Sequence, residues 1–429
     1  MDEVGIGLVG YGTVGSGVGR LLHEGADEIC LATGKTVRLR TVCDLSPERR
    51  AQVPEGVHTT TDFAELVADP EIQVVIELIG GIEPARTIQL AALAAGKSVV
   101  TANKQLLSQH GAELLQAAED KGAFLRFEAS AVGAVPVIKV LRESLAAARI
   151  TGVMGIVNGT TNFILTRMEE DGVDFDDALA EAQRLGLAER DPTADVEGHD
   201  AAAKAAILAA LAFGSDVVDV DVHREGISGI AAADVAYANR LGYSVKLLAI
   251  AELVDGGPEL SVRVHPAMVP KSHPLASVRG AFNAVFIEGA VSGELMLYGR
   301  GAGGGPTASA VLGDLVDAAR NLRAGAPGPA PKRTSITVRA QSELRSAFYL
   351  SMDVADRPGV LAAVAKVFGD HQVSIRAMEQ VGLADEARLI FLTHLAREGD
   401  LLATLDDLRL LRAVDRVSGV LRVIGVGEE

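Results

Sequence analysis

The sequence predicts an α/β protein of three modules: an N-terminal doubly wound parallel sheet, an α+β module and a C-terminal ferredoxin-like βαββαβ module. Between residues 4 and 127, short apolar runs alternate with amphipathic or alanine-rich segments, which is the pattern of parallel strands joined by helices. Between residues 134 and 300 the apolar runs are longer and this alternation ends. After residue 348 the strand-like and helix-like runs follow the order βαββαβ.

A segment rich in Pro, Gly and Ala, residues 324–333, separates the last module from the rest of the chain. It has no apolar period and therefore predicts a linker. The glycine-rich turn and helix before it, residues 300–322, are predicted to return to the first module. The expected domains are 1–133 (completed by 300–322), 134–299, a linker at 323–345, and 346–429.

The composition indicates a globular, cytoplasmic protein. Hydrophobic residues make up 48% of the 429 residues, enough for a sizeable core in each module. The net charge of −17 disfavours nucleic acid and anionic membranes as main partners, because both repel an acidic surface. No apolar run reaches the length of about 18 residues that a membrane span needs. Cys30 and Cys43 have no metal-ligand spacing, so we expect a reduced chain without a structural disulfide.

A glycine cluster, Gly10-Tyr11-Gly12-Thr13-Val14-Gly15, follows an apolar strand and opens a helix. In a Rossmann-like fold the first glycine permits a tight turn, the second lets the backbone approach a pyrophosphate, and the third allows close packing of helix on strand. The helix N-terminus then faces the phosphates. Because further strand and helix segments follow, the cluster predicts dinucleotide binding rather than a purely structural glycine turn.

Asp44 stands at the end of the second predicted strand, about 30 residues after the glycine cluster, where an acidic side chain can accept a hydrogen bond from an adenosine ribose. That position favours NAD. Arg40, Arg49 and Arg50 lie nearby in sequence and would instead engage a 2′-phosphate, or they are ordinary surface charges. The sequence therefore leaves the choice between NAD and NADP open.

Lys204 lies in an alanine-rich apolar helix, four residues after Asp200, so the two side chains share a helix face. Ile207, Leu208 and Leu211 continue that face, which directs the ammonium towards the core. A buried lysine beside a carboxylate can be held at an intermediate pKa and can shuttle protons. The alternative is a solvated ion pair worth a few tenths of a kcal/mol, and the spacing alone favours that alternative.

Three further positions follow predicted strands. Lys104 comes just after the fifth strand, where doubly wound sheets bind ligands, although a lysine there is often only solvated. Glu128 precedes a loop whose carbonyls, together with its carboxylate, can hold a hard monovalent cation. The stretch 158–162 ends a strand and begins a helix, so its amides and hydroxyls either bind a carboxylate or cap the helix.

Five segments, GLVGYGTVG, TANKQLLS, EASAVGAVP, NGTTNFIL and LGLAERDPTADVEGHDAAAKAAIL, together resemble the homoserine dehydrogenase family in order and spacing along residues 1–320. The last run carries most of the specificity. The resemblance implies interconversion of L-homoserine and L-aspartate 4-semialdehyde with NAD(H) or NADP(H), on the route to threonine, methionine and isoleucine. The alternatives are a diaminopimelate- or saccharopine-type dehydrogenase, or a non-catalytic amino-acid sensor.

The resemblance also implies residue roles. Lys204 is the expected proton donor to the aldehyde oxygen, helped or replaced by Lys104. The implied substrate-binding residues are Glu189, Asp200, Asp195, Gly159, Thr160 and Leu187. The implied cofactor-binding residues are Gly10, Gly12, Thr13, Val14, Gly15, Asp44, Gly80, Thr101, Lys104 and Gly303. A sodium-like cation is expected at Glu128 and the backbone oxygens of Ala131, Gly133 and Val135.

The run from Asp356 to Leu361, DRPGVL, resembles an ACT domain, a small-molecule sensor that usually pairs sheets between subunits. The resemblance implies a homodimer or homotetramer with threonine feedback, the effector being bound around Asp356, Pro358, Gly359 and Val360. The alternative is a ferredoxin-like dimerisation module that binds nothing. Because no aspartokinase-like segment precedes residue 1, we expect the monofunctional form of the enzyme.

Overall fold

The structure is a computed structural model that describes residues 3–322, 336–383 and 386–425. The strands are β1 (Glu3–Val9), β2 (Thr36–Cys43), β3 (His58–Thr60), β4 (Val74–Glu77), β5 (Ser98–Thr101), β6 (Leu125–Arg126), β7 (Ile150–Ile156), β8 (His223–Arg224), β9 (Tyr243–Leu253), β10 (Glu259–Pro270), β11 (Phe282–Gly289), β12 (Gly293–Arg300), β13 (Thr337–Val338), β14 (Arg345–Ala355), β15 (Ile375–Leu383), β16 (Glu386–Thr393), β17 (Ala396–Arg397) and β18 (Val414–Val423).

The helices are α1 (Thr13–Glu24), α2 (Ala26–Thr33), α3 (Pro47–Arg50), α4 (Phe63–Ala68), α5 (Ala85–Ala94), α6 (Lys104–Asp120), α7 (Val137–Lys139), α8 (Gly159–Asp171), α9 (Phe175–Arg184), α10 (Thr193–Val196), α11 (His199–Phe213), α12 (Ala232–Arg240), α13 (Gly304–Asn321), α14 (Val360–Asp370) and α15 (Glu398–Leu410). A π-helical turn, Val140–Ser144, continues α7.

The chain clusters into two compact units. The first comprises the described residues of Met1–Ile150, Ala203–Asp221 and Asn283–Ser335, and the second those of Thr151–Ala202, Val222–Phe282 and Ile336–Glu429. Residues 323–335, which contain most of the predicted linker, lie outside the described residues, as do 384–385 and 426–429 of the last predicted domain. The domain boundaries expected from the sequence remain a prediction.

The first unit is built on a parallel sheet of six described strands in the order β3-β2-β1-β4-β5-β6. This confirms the predicted doubly wound, Rossmann-like module. The register aligns the ends of four strands, because Val9 pairs with both Cys43 and Glu77, and Glu77 pairs with Thr101. The chain order reverses direction at β1, so ligands are expected just beyond this row of strand ends.

The core of the first unit lies between the sheet and helices α1 and α13. Ile6 and Leu8 of β1 and Val311 and Leu315 of α13 are buried in the same apolar cluster. Residues that are far apart in the chain therefore complete one hydrophobic core, and helix α13 packs on α1.

The second unit contains a continuous mixed sheet in the order β7-β9-β10-β18-β14-β16-β15. Its last part, from β14 to β18, has the predicted βαββαβ order, with α14 and α15 packed on a core that includes Phe348, Val364 and Leu405. Strand β18 also pairs in parallel with β10, at Ala267 with Arg422 and Met268 with Val423. Hydrogen bonds therefore join the C-terminal module to the rest of this unit.

In the described ranges, no helix is both long enough and apolar enough to cross a membrane.

Substituting Gly15 with alanine is expected to destabilise the first unit, because a Cβ at this position would lie 2.1 Å from the carbonyl oxygen of Gly10. We expect the cofactor-free protein to lose about 2 kcal/mol or more of unfolding free energy, a loss at the large end for single substitutions. Thermal unfolding measures it. The matched control is Gly313→Ala on the exposed side of α13, where no atom lies within 4 Å, and it should gain about 0.5–1 kcal/mol. Destabilisation of similar size in both variants would contradict this reading of the turn.

Candidate active site

The glycine loop follows β1 and leads directly into α1. Gly10 has φ of 94°, a conformation that favours glycine, and Gly12 occupies the N-cap position of α1 without a side-chain cap. The first backbone N–H groups of the helix are therefore not satisfied by the N-cap side chain. An anion placed there would accept hydrogen bonds and would also interact favourably with the helix dipole.

A second helix N-terminus meets the first. Helix α13 begins at Gly304, and its N-cap is Gly303, with φ of 121° and no side chain to cap the helix. A Cβ on Gly304 would lie 3.1 Å from Cγ2 of Thr13, the first residue of α1. Two glycine-opened helix ends thus converge within the first unit, which is a suitable cradle for a pyrophosphate.

Asp44 lies at the end of β2 and contacts the glycine loop directly. Its Oδ2 accepts a hydrogen bond from Tyr11 N at 2.7 Å, and its Oδ1 accepts one from Ser46 N at 2.8 Å. Burial opposes ionisation, but these hydrogen bonds and the nearby Arg49 guanidinium outweigh it and lower the pKa of Asp44. The carboxylate therefore stays charged at the position predicted for ribose binding.

The three arginines near Asp44 have different surroundings. Arg49 lies 3.7 Å from the Asp44 carboxylate, on the side of the glycine loop, and remains more than half exposed. Arg50 donates to the backbone carbonyl of Asp44 at 2.6 Å. Arg40 is paired with Glu3 and Glu71, each at 2.7 Å. Arg49 is therefore the best placed of the three to meet a phosphate beside the ribose.

A cavity of about 290 Å³ opens at the strand ends of the first unit and contains both predicted lysines. Lys204 is 7% exposed, whereas Lys104 is exposed. The structure thus brings together residues that are far apart in the sequence. The lining residues include Val14, Gly80, Asn103, Lys104, Ala131, Lys204 and Thr307.

Asn103 determines where Lys104 stands. Its side-chain oxygen accepts a hydrogen bond from Leu106 N and caps α6, and its amide donates to the carbonyl of Gly81 at 2.7 Å. Lys104 is the first residue of α6, at the helix end that stabilises negative charge. A negatively charged group in the cavity would be stabilised at this end.

Glu77, a fully buried carboxylate at the end of β4, was not among the residues predicted from the sequence. Its Oε1 accepts from Ile79 N at 2.8 Å and from Gly80 N at 3.2 Å, while its Oε2 accepts from Thr101 Oγ1 at 2.9 Å. Gln89 donates to the same Oε2 at 2.7 Å. Glu77 therefore shapes the loop through Gly80 that lines the cavity. The signal was present, since a carboxylate inside the apolar run IQVVIELIGG needs partners when buried.

In the second unit, the side chain of Asn158 brings two predicted carboxylates together. Its Nδ2 donates to Asp195 Oδ1 at 2.6 Å and to Asp200 Oδ2 at 2.9 Å, while its Oδ1 caps α8 by accepting from Thr161 N. Two carboxylates therefore share one neutral amide, and such a pair favours a nearby positive charge.

The remaining predicted substrate residues lie at the start of α8 and on the segment after α9, and they differ in exposure. Gly159 is the first residue of α8, and Thr160 Oγ1 donates to the carbonyl of Leu187 at 2.7 Å. Leu187 and Glu189 are exposed on the segment that follows α9. The hydrogen bonds described above bring Asp195 and Asp200 together, and Glu189 is not part of that set.

Glu128 is buried and caps α7 with both of its carboxylate oxygens, which accept from Ile138 N and Lys139 N at 2.8 Å each. Burial raises the pKa of Glu128, and these hydrogen bonds only partly offset that effect. Gly133 has φ of 58° and lies against the backbone of Gly301. Among the described residues, no group of three or more His, Cys, Asp or Glu side chains forms a metal cluster.

The predicted effector residues line a separate cavity of about 350 Å³ in the C-terminal module. Asp356, Pro358, Gly359 and Val360 all contribute to its wall. Gly359 has φ of 91° and precedes α14, and Gln380 donates to Asp356 at 3.3 Å. The cavity therefore offers a carboxylate close to a helix N-terminus, which suits a ligand that carries both charges.

Three family models match the chain: the homoserine dehydrogenase NAD binding domain over residues 10–128, homoserine dehydrogenase over 136–316, and the ACT domain over 348–411. A homoserine dehydrogenase of Corynebacterium glutamicum is 50% identical over 428 residues, covering 98% of this chain and 96% of the relative. The crystal structure of a homoserine dehydrogenase from Thiobacillus denitrificans has a TM-score of 0.93 at 41% identity and covers 100% of this chain and 99% of its own. A hyperthermophilic archaeal homoserine dehydrogenase mutant in complex with NADPH covers 77% of this chain and 100% of its own, with a TM-score of 0.64 at 28% identity.

The matched ranges contain residues described above. The NAD-binding match contains the glycine loop and Lys104, and the homoserine dehydrogenase match contains Asn158, Asp200 and Lys204. The other dehydrogenase types and the non-catalytic sensor considered from the sequence are not favoured, because the relatives that match at 40–50% identity over nearly the whole chain are named homoserine dehydrogenase. The chain therefore belongs to the homoserine dehydrogenase family, whose members are NAD(P)-dependent oxidoreductases, and it contains an ACT domain.

Proposed function

We propose that Lys204 and Lys104 act on the reacting oxygen of the substrate while Asp195 and Asp200 hold its ammonium group. The observation that carries the proposal is that both lysines line one cavity beside the glycine loop. The reaction is the interconversion of L-aspartate 4-semialdehyde and L-homoserine, in the biosynthesis of threonine, methionine and isoleucine. When bound, the reduced nicotinamide supplies the hydride that adds to the aldehyde carbon.

In this proposal the two lysines have different tasks. Lys204 is buried, so its ammonium is shielded from bulk water and is suited to donate the proton to the aldehyde oxygen during reduction. In the reverse direction the neutral amine removes the proton from the hydroxyl of homoserine. Lys104 is exposed at the N-terminus of α6 and stabilises the negative charge that develops on the same oxygen.

Lys204→Ala is expected to lower kcat by about 100-fold or more, the usual scale for the loss of a positioned acid or base. Steady-state reduction of aspartate semialdehyde, followed at the nicotinamide absorbance, measures the effect. Lys121→Ala, at the exposed C-terminal end of α6, is the control and should retain wild-type kcat. A loss under about threefold in Lys204→Ala would show that the helix lysine is not the proton donor. A loss that is much larger in Lys104→Ala than in Lys204→Ala would reverse the two assignments.

The proposed site for the ammonium group consists of two carboxylates. Asp195 and Asp200 share the amide of Asn158, and two carboxylates held on one amide favour a positively charged ligand. Gly159, Thr160, Leu187 and Glu189 then complete the surroundings of the polar groups, as the family resemblance implies.

Asp200→Asn is expected to raise the KM for aspartate semialdehyde by about tenfold or more, where each tenfold is about 1.4 kcal/mol of binding free energy. The analogue 4-oxobutanoate lacks the amino group, so its kcat/KM should be the same in the variant and the wild type. Asp191→Asn, an exposed residue of the same segment that bonds Thr193, is the control. An equal loss with both substrates would refute the ammonium assignment.

Either nicotinamide dinucleotide fits the first unit, and we propose that Asp44 and Arg49 together set the preference. Asp44 would accept from the ribose hydroxyl of NAD, while Arg49 would pair with the 2′-phosphate of NADP. The pyrophosphate would lie at the N-termini of α1 and α13, next to Gly10, Gly12 and Gly303. The NADPH bound by the archaeal relative supports the phosphate-bearing cofactor.

We propose a monovalent cation, such as Na⁺, at the loop between β6 and α7. The buried carboxylate of Glu128 and the carbonyl oxygens of Ala131, Gly133 and Val135 are hard oxygen donors of the kind that such a cation prefers. A cation here would offset the buried charge of Glu128 and fix the loop, and it takes no part in hydride transfer.

We further propose a cytoplasmic homodimer or homotetramer that is inhibited by threonine. The low cysteine content, Cys30 and Cys43 without metal-ligand spacing, supports a reducing compartment. The cavity at Asp356 and Gly359 supports an amino-acid effector, with the carboxylate of Asp356 facing its ammonium and the start of α14 its carboxylate.

Threonine added to the full chain is expected to lower the rate, and Asp356→Ala should raise the half-inhibitory concentration by about tenfold or more, because the ammonium loses its counter-charge. A titration of activity with threonine measures this. Asp370→Ala removes an exposed carboxylate from the other end of α14 and should leave the titration unchanged. Absence of any threonine response in the wild type would contradict the effector assignment.

A further inference from the structure

The loop that connects β8 to α12, residues 225–231, is anchored at both ends to the sheet of the C-terminal module. All of these residues lie in the second unit. We call this segment the connecting loop. Neither the predicted catalytic roles nor the predicted effector cavity uses it.

The first anchor is a buried ion-pair cluster around Arg422 of β18. Its guanidinium donates to both carboxylate oxygens of Glu225 at 2.7 and 2.8 Å, and to both oxygens of Glu398 at 2.7 Å each. The side chains of Arg422 and Glu398 are 7% and 3% exposed, and that of Glu225 is 37% exposed. Glu225 thus ties the start of the connecting loop to a charge that Glu398 holds in place.

The electrostatics of Glu225 agree with a tight pair. Burial on its own would raise the pKa of this carboxyl, but hydrogen bonds from His223 and Arg422 outweigh burial and hold the pKa well below its usual range. Glu225 is therefore ionised throughout the range in which a dehydrogenase is assayed.

The second anchor follows the connecting loop, in the first turn of α12. Asp234 is 2% exposed, and its Oδ1 accepts hydrogen bonds from Tyr349 and Ser351 of β14, at 2.8 and 2.6 Å. A Cβ on Gly419 of β18 would lie 2.4 Å from Asp234 Oδ2, so this approach requires glycine. Two strands of the C-terminal sheet thus hold the far end of the loop.

Between its anchors, the connecting loop packs on the segment that carries Asp195. Ile227 N donates to the carbonyl of Val196 at 2.8 Å, and Ser228 Oγ donates to Glu197 at 2.6 Å. A Cβ on Gly226 would lie 2.4 Å from the same Val196 carbonyl, so the two backbones are in close contact. Asp195 immediately precedes this contact and bonds Asn158.

We propose that Glu225 is a positioning residue for the substrate, through which the C-terminal sheet holds Asp195 in place. The path runs from Arg422 to Glu225, along the connecting loop to Val196, and so to Asp195 and the amide that it shares with Asp200. The inference rests on the proposed role of these two carboxylates in binding the substrate ammonium. It adds a residue outside the cavity that sets substrate affinity, and it gives the sensor module a direct mechanical contact with the substrate site.

Glu225→Ala tests the proposal without removing a fully buried charge, because Arg422 keeps its pair with Glu398. The KM for aspartate semialdehyde should rise about five- to tenfold, while kcat and the KM for the nicotinamide cofactor stay within about twofold. The analogue 4-oxobutanoate should show no change in kcat/KM.

Glu379→Ala is the matched control. Glu379 also pairs the C-terminal module with α12, through Arg240 at 2.8 Å, but it does not touch the connecting loop. Its KM should equal that of the wild type.

The double variant Glu225→Ala/Asp195→Asn separates this role from general destabilisation. If Glu225 acts through Asp195, the double variant should have the KM of Asp195→Asn alone, because the connecting loop then no longer positions a charged carboxylate. A KM equal to the product of the two single effects would overturn the proposal, as would parallel changes in kcat and both KM values that follow a lowered unfolding temperature. If Asp195→Asn raises KM and Glu225→Ala does not, only the positioning role fails. If Asp195→Asn leaves KM unchanged, the ammonium site and the positioning role both fail.

Discussion

The arrangement of the first unit depends on the close approach between Gly15 and the carbonyl oxygen of Gly10. It directs α1 sharply away from the end of β1 and leaves the start of that helix open. Helix α13, which comes from the far side of the sequence, then packs along α1 with its own open start beside it. Asp44, Gly80 and Lys104 are placed relative to this turn because the strands that precede them end in one register. A larger residue at either glycine would therefore disturb the whole row of strand ends.

The residues proposed for the site differ in charge between the two units. The first unit carries both lysines and two helix N-termini without a side-chain cap, groups of the kind that stabilise phosphates and other negative charge. The second unit carries two carboxylates that share the amide of Asn158, groups of the kind that stabilise a cation. Each unit therefore presents mainly one sign of charge among these residues.

The parts of the site that were predictable are those with local sequence signals. The glycine cluster, Lys204 in its alanine-rich helix and the βαββαβ order of the last module could be recognised because each depends on neighbours within a few turns of chain. The contacts of Glu77, Asn158 and Glu225 could not be predicted, because the partners are distant in sequence: Thr101 for Glu77, Asp195 and Asp200 for Asn158, and Arg422 for Glu225. Periodicity and spacing carry no information about such pairs. Stretch 158–162 illustrates the difference between local and distant contacts. The sequence predicted either helix capping or ligand binding there. In the structure Asn158 caps α8, and its amide also bonds two distant carboxylates.

The parallel pairing of β18 with β10 has a consequence for how the chain folds during synthesis. Strand β18 leaves the ribosome after every strand that it joins, so the stretch of β10 at Ala267 and Met268 lacks this partner until β18 has been made. Exposed strand edges can pair with other chains. The second unit therefore completes its sheet late, and nascent chains that stop before β18 would leave this stretch of β10 without its parallel partner. Shortening this protein at its C-terminal side would thus affect the solubility and folding of the second unit as a whole.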